Sequence, residues 1–351
     1  MPRYTSNPLA PGNLFAGQYL VESTLGEGAM GAVAAATCRS TGQKVAIKCL
    51  LPAHRSEPTV VARFQREMRA TERLRSEHVA RVIDHGEIPG ADAPIAFMVM
   101  ERLDGCDLRT LLAQRRALSV RRAAEYVSQA CVGLAEAHAL GIVHRDLKPA
   151  NLFRGVSASG RKIIKVLDFG IAKFGSHNAA GDARDVTQCA ATMGSPSYMA
   201  PEQMLDARSV DARADVWSLG VILYQLVSGV KPFRGEQITD VAFAVITEVP
   251  APLDQIAPHV PPAFARIVAR CLEKRREDRW PSVVELARAL APFAHRAESA
   301  PRVELANRTV QLGQAIQALK DEHLKEDHPS DPGESQDVAI DEGPATRRMT
   351  A

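Results

Sequence analysis

The feature that most limits the fold is a single change of pattern near Leu108. Before it, apolar runs of strand length alternate with turns: YLVESTLGEG and GAVAAATC, then KVAIKCL after a Ser40-Thr41-Gly42 turn, then VARVIDHGEI and PIAFMVMER. One helix interrupts them, because residues 58–75 place Val61, Phe64, Met68 and Thr71 on one face at three- and four-residue spacing. Beyond Leu108 helices take over. LRTLLAQR comes first, then AAEYVSQACVGLAEAHALG with Gly141 as its stop, and mostly helix runs from Pro201 to residue 294. A hairpin of NLF and KIIKVLDF around GVSASGR breaks this half, and residues 175–197 read as a long polar loop without periodicity. A small β-rich part followed by a larger helical one is an α+β layout with a cleft between them.

Composition removes several classes. At 351 residues the chain has room for about two folded units of ~100–200 residues. With 46% hydrophobic and 24% charged residues it is neither collagen-like nor disordered throughout. A net charge of +2 gives no global field for nucleic acid. The six cysteines show no C-x-x-C pair, which argues against a disulfide scaffold or zinc site. The N-terminus lacks a secretory apolar core, and WSLGVILYQLV is too short to span ~30 Å of hydrocarbon, so no membrane span and a cytoplasmic location are expected. Residues 1–17, rich in Pro, Asn and Gly, read as a flexible leader, and residues 18–294 as the folded domain. Residues 296–351 carry 11 acidic and 7 basic residues, a net of −4. Within 295–326, Leu305, Leu312 and Leu319 recur every seven with Ile316 between, giving a short amphipathic helix over 302–325 that docks on its own domain or on a partner. Residues 327–351 have the acidic composition of disorder.

The chemistry begins with Gly26, Gly28 and Gly31 in LGEGAMGAV. A dinucleotide-binding turn would need a helix next and an acid ~20 positions on. A Thr41-Gly42 turn interrupts instead, and the residue twenty after Gly31 is Leu51. A hairpin laid over a phosphate chain fits better, since backbone N–H groups approach oxygens closely where no Cβ intervenes. Lys48 on the apolar strand VAIK either snorkels to water or meets an anion. Glu67, on the polar flank of the first helix, offers it a partner. The decisive string is His144-Arg145-Asp146-Leu147-Lys148-Pro149-Ala150-Asn151, followed by Asp168-Phe169-Gly170. Asp146, Asn151 and Asp168 are hard oxygen donors of the kind Mg²⁺ takes beside phosphates, and Lys148 adds neutralising charge.

In these motifs, across residues 19–294, the chain resembles the eukaryotic-like (Hanks-type) bacterial serine/threonine protein kinases. The resemblance implies a two-lobed protein-kinase fold, a small β-rich N-lobe and a larger helical C-lobe with ATP in the cleft. It implies that Gly26, Gly28 and Gly31 cover the phosphates, and that Lys48, held by Glu67, contacts them. Asp146 would be the catalytic base, Lys148 would steady the γ-phosphate, and Asn151 and Asp168 would bind Mg²⁺, with Mn²⁺ as a substitute. Leu25, Val33, Ala46, Leu152 and Leu167 would line the adenine slot, Met100 would be its gatekeeper, and Glu101 to Leu103 the hinge. Glu202 would pair with Arg279, and Asp215 would tie the catalytic loop to the helical core.

Lys148-Pro149 and Gly194-Ser195-Pro196 point to serine/threonine acceptors in proteins, this chain among them through autophosphorylation. Arg145 beside the base would dock a phosphorylated loop residue, with Thr187 as the first candidate and Thr192 as a substitute where Cys189 replaces the usual second threonine. Two departures stand out. Ala150 replaces a glutamate that basophilic relatives use, which disfavours a basic substrate preference. Thr71 stands where the family has an apolar residue, so the first helix should be easier to displace. The alternatives, a nucleotide-binding pseudokinase scaffold and a small-molecule phosphotransferase, are opposed respectively by the intact Lys48, Asp146 and Asp168 and by Ala200-Pro201-Glu202.

Overall fold

The computed structural model describes residues 7–28, 31–90, 93–157, 160–169, 196–206 and 209–294. Gly170, Thr187, Cys189, Thr192, Ser195, the 302–325 helix and the 327–351 tail lie outside the described residues. Each apolar run in the first half forms a strand: β1 (Leu14–Phe15), β2 (Tyr19–Glu27), β3 (Gly31–Cys38), β4 (Lys44–Leu50), β5 (Val82–Ile88) and β6 (Ile95–Glu101). They make one antiparallel sheet in the order β1-β2-β3-β4-β6-β5. Alternation along β4 decides what faces where. Val45, Ile47 and Cys49 enter one core with Phe15, Val21, Phe97 and Val99. Leu50 faces the other side, where α1 (Pro58–Glu72) packs Val60, Phe64 and Met68 onto it together with Ala96 and Met98. Lys48, two residues before Leu50, shares that second side. Pro58 opens α1 at a position where its missing N–H costs nothing.

Residues 7–17 correct an expectation, because they are not a loose leader. Leu14 and Phe15 pair with Leu20 and Tyr19, and Leu9 and Phe15 are buried. The Phe15 ring meets Phe97 edge-on, with centroids 5.1 Å apart. Pro, Gly and Asn make up six of these eleven residues, but two well-spaced apolar side chains are enough to seal the outer core.

The second half opens with β7 (Gly105–Asp107), which no periodicity announces in three residues, and which pairs with the hairpin β8 (Leu152–Val156) and β9 (Lys162–Val166). Helices follow the predicted pattern: α2 (Leu108–Arg115), α3 (Val120–Ala139), α4 (Pro201–Leu205), α5 (Arg213–Ser228), α6 (Ile238–Thr247), α7 (Leu253–Ile256), α8 (Pro262–Cys271) and α9 (Val283–Ala294). Asp107 caps α2 by accepting from the Thr110 N–H at 2.7 Å. Helix α5 is apolar nearly all round and therefore sits in the middle of the C-lobe, with Trp217 stacked on Phe233. Gly220 admits the α8 helix to close contact, since a Cβ there would fall 2.4 Å from the Cys271 Cβ.

The two lobes are joined by more than chain connectivity. Both oxygens of Glu136 on α3 accept from the backbone N–H groups of Arg75 and Ser76, just beyond α1. His78 Nδ1 donates to the Ile164 carbonyl on β9, and Val79 bridges Val166 in parallel. Among the described residues no helix is long and apolar enough to cross a membrane. If residues 7–17 seal the core, Phe15→Ala should lower the unfolding free energy by about 3–5 kcal/mol in urea titrations. A loss under about 0.5 kcal/mol, the range of ordinary surface changes, would sink that reading.

Candidate active site

The site lies where β4, α1, the 144–151 loop and the end of β9 converge. Lys48 sits on a central strand, paired with Val33 on β3 and Met98 on β6. Its Nζ donates to Glu67 Oε1 and to Asp168 Oδ1, each at 2.8 Å. Burial works to lower the pKa of this ammonium, but the Asp168 and Glu67 carboxylates outweigh it and hold the pKa above the ordinary lysine value. Lys48 in turn holds the Asp168 carboxyl below its usual range against the opposing effect of burial. Glu67 is itself buried, with Val60, Phe64, Met68 and Thr71 around it on α1, not on a solvated flank as the nearby Arg66 and Arg69 suggest. The pairing with Lys48 makes that burial tolerable. Thr71 is buried one turn later, and its hydroxyl donates back to the Glu67 carbonyl at 2.8 Å.

The second cluster hangs from Asp215, a fully buried carboxylate at the start of α5. It accepts from His138 Nε2 at 2.7 Å and from the backbone N–H groups of His144 and Arg145, both at 2.9 Å. Burial pushes its pKa upward, yet the hydrogen bond and charge of His138 and the His144 contacts bring it below the ordinary aspartate value. The loop it holds is strained at Arg145, whose φ of 63° lies in the left-handed region; Asp168, just beyond β9 at φ 47°, is another of the four non-glycine residues found there among those described. Gln203 on α4 donates from Nε2 to the Arg145 carbonyl, and its Oε1 accepts from the Ala200 N–H. Glu202 beside it makes the expected pair with Arg279, two parallel bonds of 2.7 and 2.8 Å.

From this frame Asp146 faces Lys148, whose Nζ donates to Oδ2 at 3.0 Å. Asn151 Nδ2 donates to the Asp146 carbonyl at 2.8 Å and more weakly to Oδ2. The 3₁₀ turn Pro149–Asn151 delivers Asn151, with Pro149 at its start. Phe169 is buried, its ring centroid 4.9 Å from that of His144. His144 has one satisfactory protonation state. The Leu167 carbonyl can only accept, so Nε2 carries the proton, and the Asp146 N–H can only donate, so Nδ1 keeps its lone pair. Burial, opposed by the Asp215 carboxylate, holds the imidazole pKa below its ordinary value.

Above the cleft the β2–β3 hairpin carries Gly26, Gly28 and Gly31, closed by a Gly28 N–H to Gly31 carbonyl bond of 2.8 Å. Nothing lies within 4 Å of a Cβ built at Gly26, whereas one at Gly31 would fall 2.7 Å from the Cys49 carbonyl. Gly31 thus has a packing reason as well as a place in the hairpin. Ala46 pairs with Met100 across β4 and β6, Leu152 is fully buried, and Leu25 is exposed, while Val33, Leu167, Glu101 and Leu103 are half-buried. The Glu101 carboxylate at the end of β6 accepts from Lys165 Nζ on β9 at 2.7 Å. Sequence reasoning passed over His138, His144 and Gln203 as positioning residues. His138 and Asp215 are 77 positions apart, so no local spacing could reveal the pair.

Two lobes thus face each other across the site, a buried ammonium on one and a carboxylate–amide cluster on the other. Residues 19–289 match the family description "Protein kinase domain", and the chain belongs to that family. It is 36% identical over 297 residues to the serine/threonine-protein kinase pkn3 of Myxococcus xanthus, covering 83% of this chain and 53% of that protein. It is 34% identical to PknB of Mycolicibacterium smegmatis, covering 82% and 44%. The chain therefore spans about half the length of these curated relatives. The crystal structure of the Mycobacterium tuberculosis PknI kinase domain aligns with a TM-score of 0.60 at 30% identity, over 81% of this chain and 99% of that one.

The neutral His144 has a consequence for acid stability. Its lowered folded pKa means that the unfolded chain binds this proton first as pH falls below ~6.5, so stability should drop from pH 7 to 5. Asp168 and Asp215 act in the same direction, but only below ~4, where their unfolded forms protonate. Urea midpoints should therefore vary less steeply with pH between 5 and 7 in His144→Phe than in the parent, and equal slopes would refute the assignment.

Proposed function

We propose that this chain is an ATP-dependent serine/threonine protein kinase whose site residues act as the family resemblance implies. The observation that carries the reading is Lys48, charged and held between Glu67 and Asp168, facing the Asp146–Lys148–Asn151 cluster. The acceptor hydroxyl oxygen attacks the γ-phosphorus, the bond to the β-phosphate oxygen breaks, ADP leaves, and the hydroxyl proton passes to Asp146. Asp146 orients that hydroxyl, while Lys148 neutralises charge on the moving phosphoryl group. Lys48 holds the α- and β-phosphates, and Gly26, Gly28 and Gly31 let the hairpin backbone approach them.

The donor set suits Mg²⁺. One carboxylate and one amide would leave most positions to phosphate oxygens and water, which is how Mg²⁺ binds beside nucleotides. Among the described residues no group of three or more His, Cys, Asp or Glu side chains competes as a metal site. Asp168 and Asn151 would hold the ion, which supplies charge neutralisation at the phosphates. Protein substrates carrying serine or threonine are implied, and Ala150 disfavours a basic requirement. A cytoplasmic setting would supply the nucleotide.

Activation is proposed to run through the 175–197 loop, with Arg145 docking a phosphate on Thr187 or, failing that, Thr192. Incubation with radiolabelled ATP and Mg²⁺ should label Thr187 or Thr192 in the wild type. The rate should fall by about 10²–10⁴ in Asp146→Asn, as for loss of a general base. Undiminished labelling of that variant would refute the role of Asp146. Thr71 gives a separate expectation. Its back-bond to Glu67 competes with the regular helix bonding of α1. Thr71→Leu should therefore raise the basal rate of peptide phosphorylation, and an unchanged rate would argue that Thr71 does not loosen the helix.

A further inference from the structure

Helix α1 has two faces with opposite duties. The inner one buries Val60, Phe64, Glu67, Met68 and Thr71. The outer one carries Arg66, Arg69 and Arg73, all exposed, at spacings of three and four that align them in a stripe. Among the described residues none of the three has a carboxylate partner. The nearby acids are already engaged, Glu67 inward with Lys48 and Glu72 with His85 at 3.1 Å. Like charges at this spacing repel along a helix, so the stripe works against α1 unless something anionic covers it. Guanidinium groups are well suited to carboxylates.

The complement is present in the same chain. Residues 326–342, EDHPSDPGESQDVAIDE, hold seven acids and no lysine or arginine. Even with 302–325 helical at ~1.5 Å per residue and the rest extended at ~3.3 Å, residues 295–325 reach ~60 Å, about three times the ~19 Å radius of gyration of a domain this size. Tethering raises the local concentration of such a segment to about the millimolar range, so individually weak ion pairs suffice. We propose that the acidic segment 326–342 docks in cis on the Arg66–Arg69–Arg73 stripe. By relieving the repulsion along α1 it steadies the helix from which Glu67 reaches Lys48, and so raises the phosphotransfer rate. The docking is independent of the kinase reading, and only its effect on rate rests on it.

The test uses the full chain with a photo-crosslinking amino acid at Ala62, an exposed position on the same side of α1. Crosslinks should map to residues 326–342 and, in mixtures of isotopically light and heavy protein, join residues of one copy. Their yield should fall at least about fivefold between 0.05 and 0.5 M salt, as screening shortens the reach of exposed charges. R66Q/R69Q/R73Q should abolish them, while R115Q/R116Q, a basic pair at the end of α2, should not. Absent crosslinks, crosslinks between copies, persistence in the triple variant or loss in the control would each overturn the docking. Changing the seven acids to Asn or Gln should lower peptide phosphorylation at least about fivefold in the wild-type background and leave the triple variant unaffected. An unchanged rate beside a mapped crosslink would overturn the regulatory link. A chain with no phosphotransfer at all would fail the kinase reading and leave the crosslink to decide the docking.

Discussion

Asp215 is the group on which the arrangement of the site depends. A carboxylate with no exposed surface is tolerable only because three donors converge on it. Two of them are consecutive backbone N–H groups, which fixes the direction in which the chain leaves α3 and enters the loop. The left-handed Arg145 is a consequence of that constraint, and Asp146 is presented to the cleft by it. Because α5 is buried nearly all round, the carboxylate rests on a helix packed on almost every side. The precision of the site is thus inherited from a core helix, while the reactive groups themselves stand on irregular backbone.

The N-lobe contributes one charged group, and its position is set from two sides. Lys48 follows from strand alternation, which puts it on the α1 side of the sheet. Glu67 and Asp168 then compete for and share its ammonium. Since Asp168 belongs to the C-lobe, this ion pair spans the cleft, and the contacts of Glu136 with Arg75 and Ser76 fix the far end of α1 relative to α3. The cleft is therefore pinned at its mouth by charge and at its back by backbone hydrogen bonds.

Much of this was legible beforehand, for identifiable reasons. The strands β2 to β6 and the helices α1 to α3 and α5 declare themselves through periodicity, and the site residues through short strings with fixed spacing. What escaped was what long-range packing decides. Glu67 looks solvated because Arg66 and Arg69 lie close to it in sequence, yet the helix face it occupies is set by Phe64 and Met68. Residues 7–17 look loose because composition counts Pro and Gly and overlooks two buried apolar side chains. β7 is too short to show a period, and the partners of Asp215 come from distant positions. The pairing of Glu202 with Arg279 was recoverable only through the family resemblance.

That last pair has a consequence in time. Arg279 is almost fully buried, its guanidinium shared among Glu202 and the carbonyls of Glu273, Arg213 and Lys274, with the Trp217 ring 5.0 Å beneath it. The two members of the pair are 77 residues apart. During synthesis at ~5–20 residues per second, several seconds separate the appearance of Glu202 from that of its partner. Through that interval Glu202 on α4 lacks the guanidinium that holds it. The six-stranded sheet, whose last strand ends at Glu101, is under no such delay. A nascent chain can therefore complete that sheet well before the helical half closes around Arg279, so the order of translation sets the order in which the two halves become rigid.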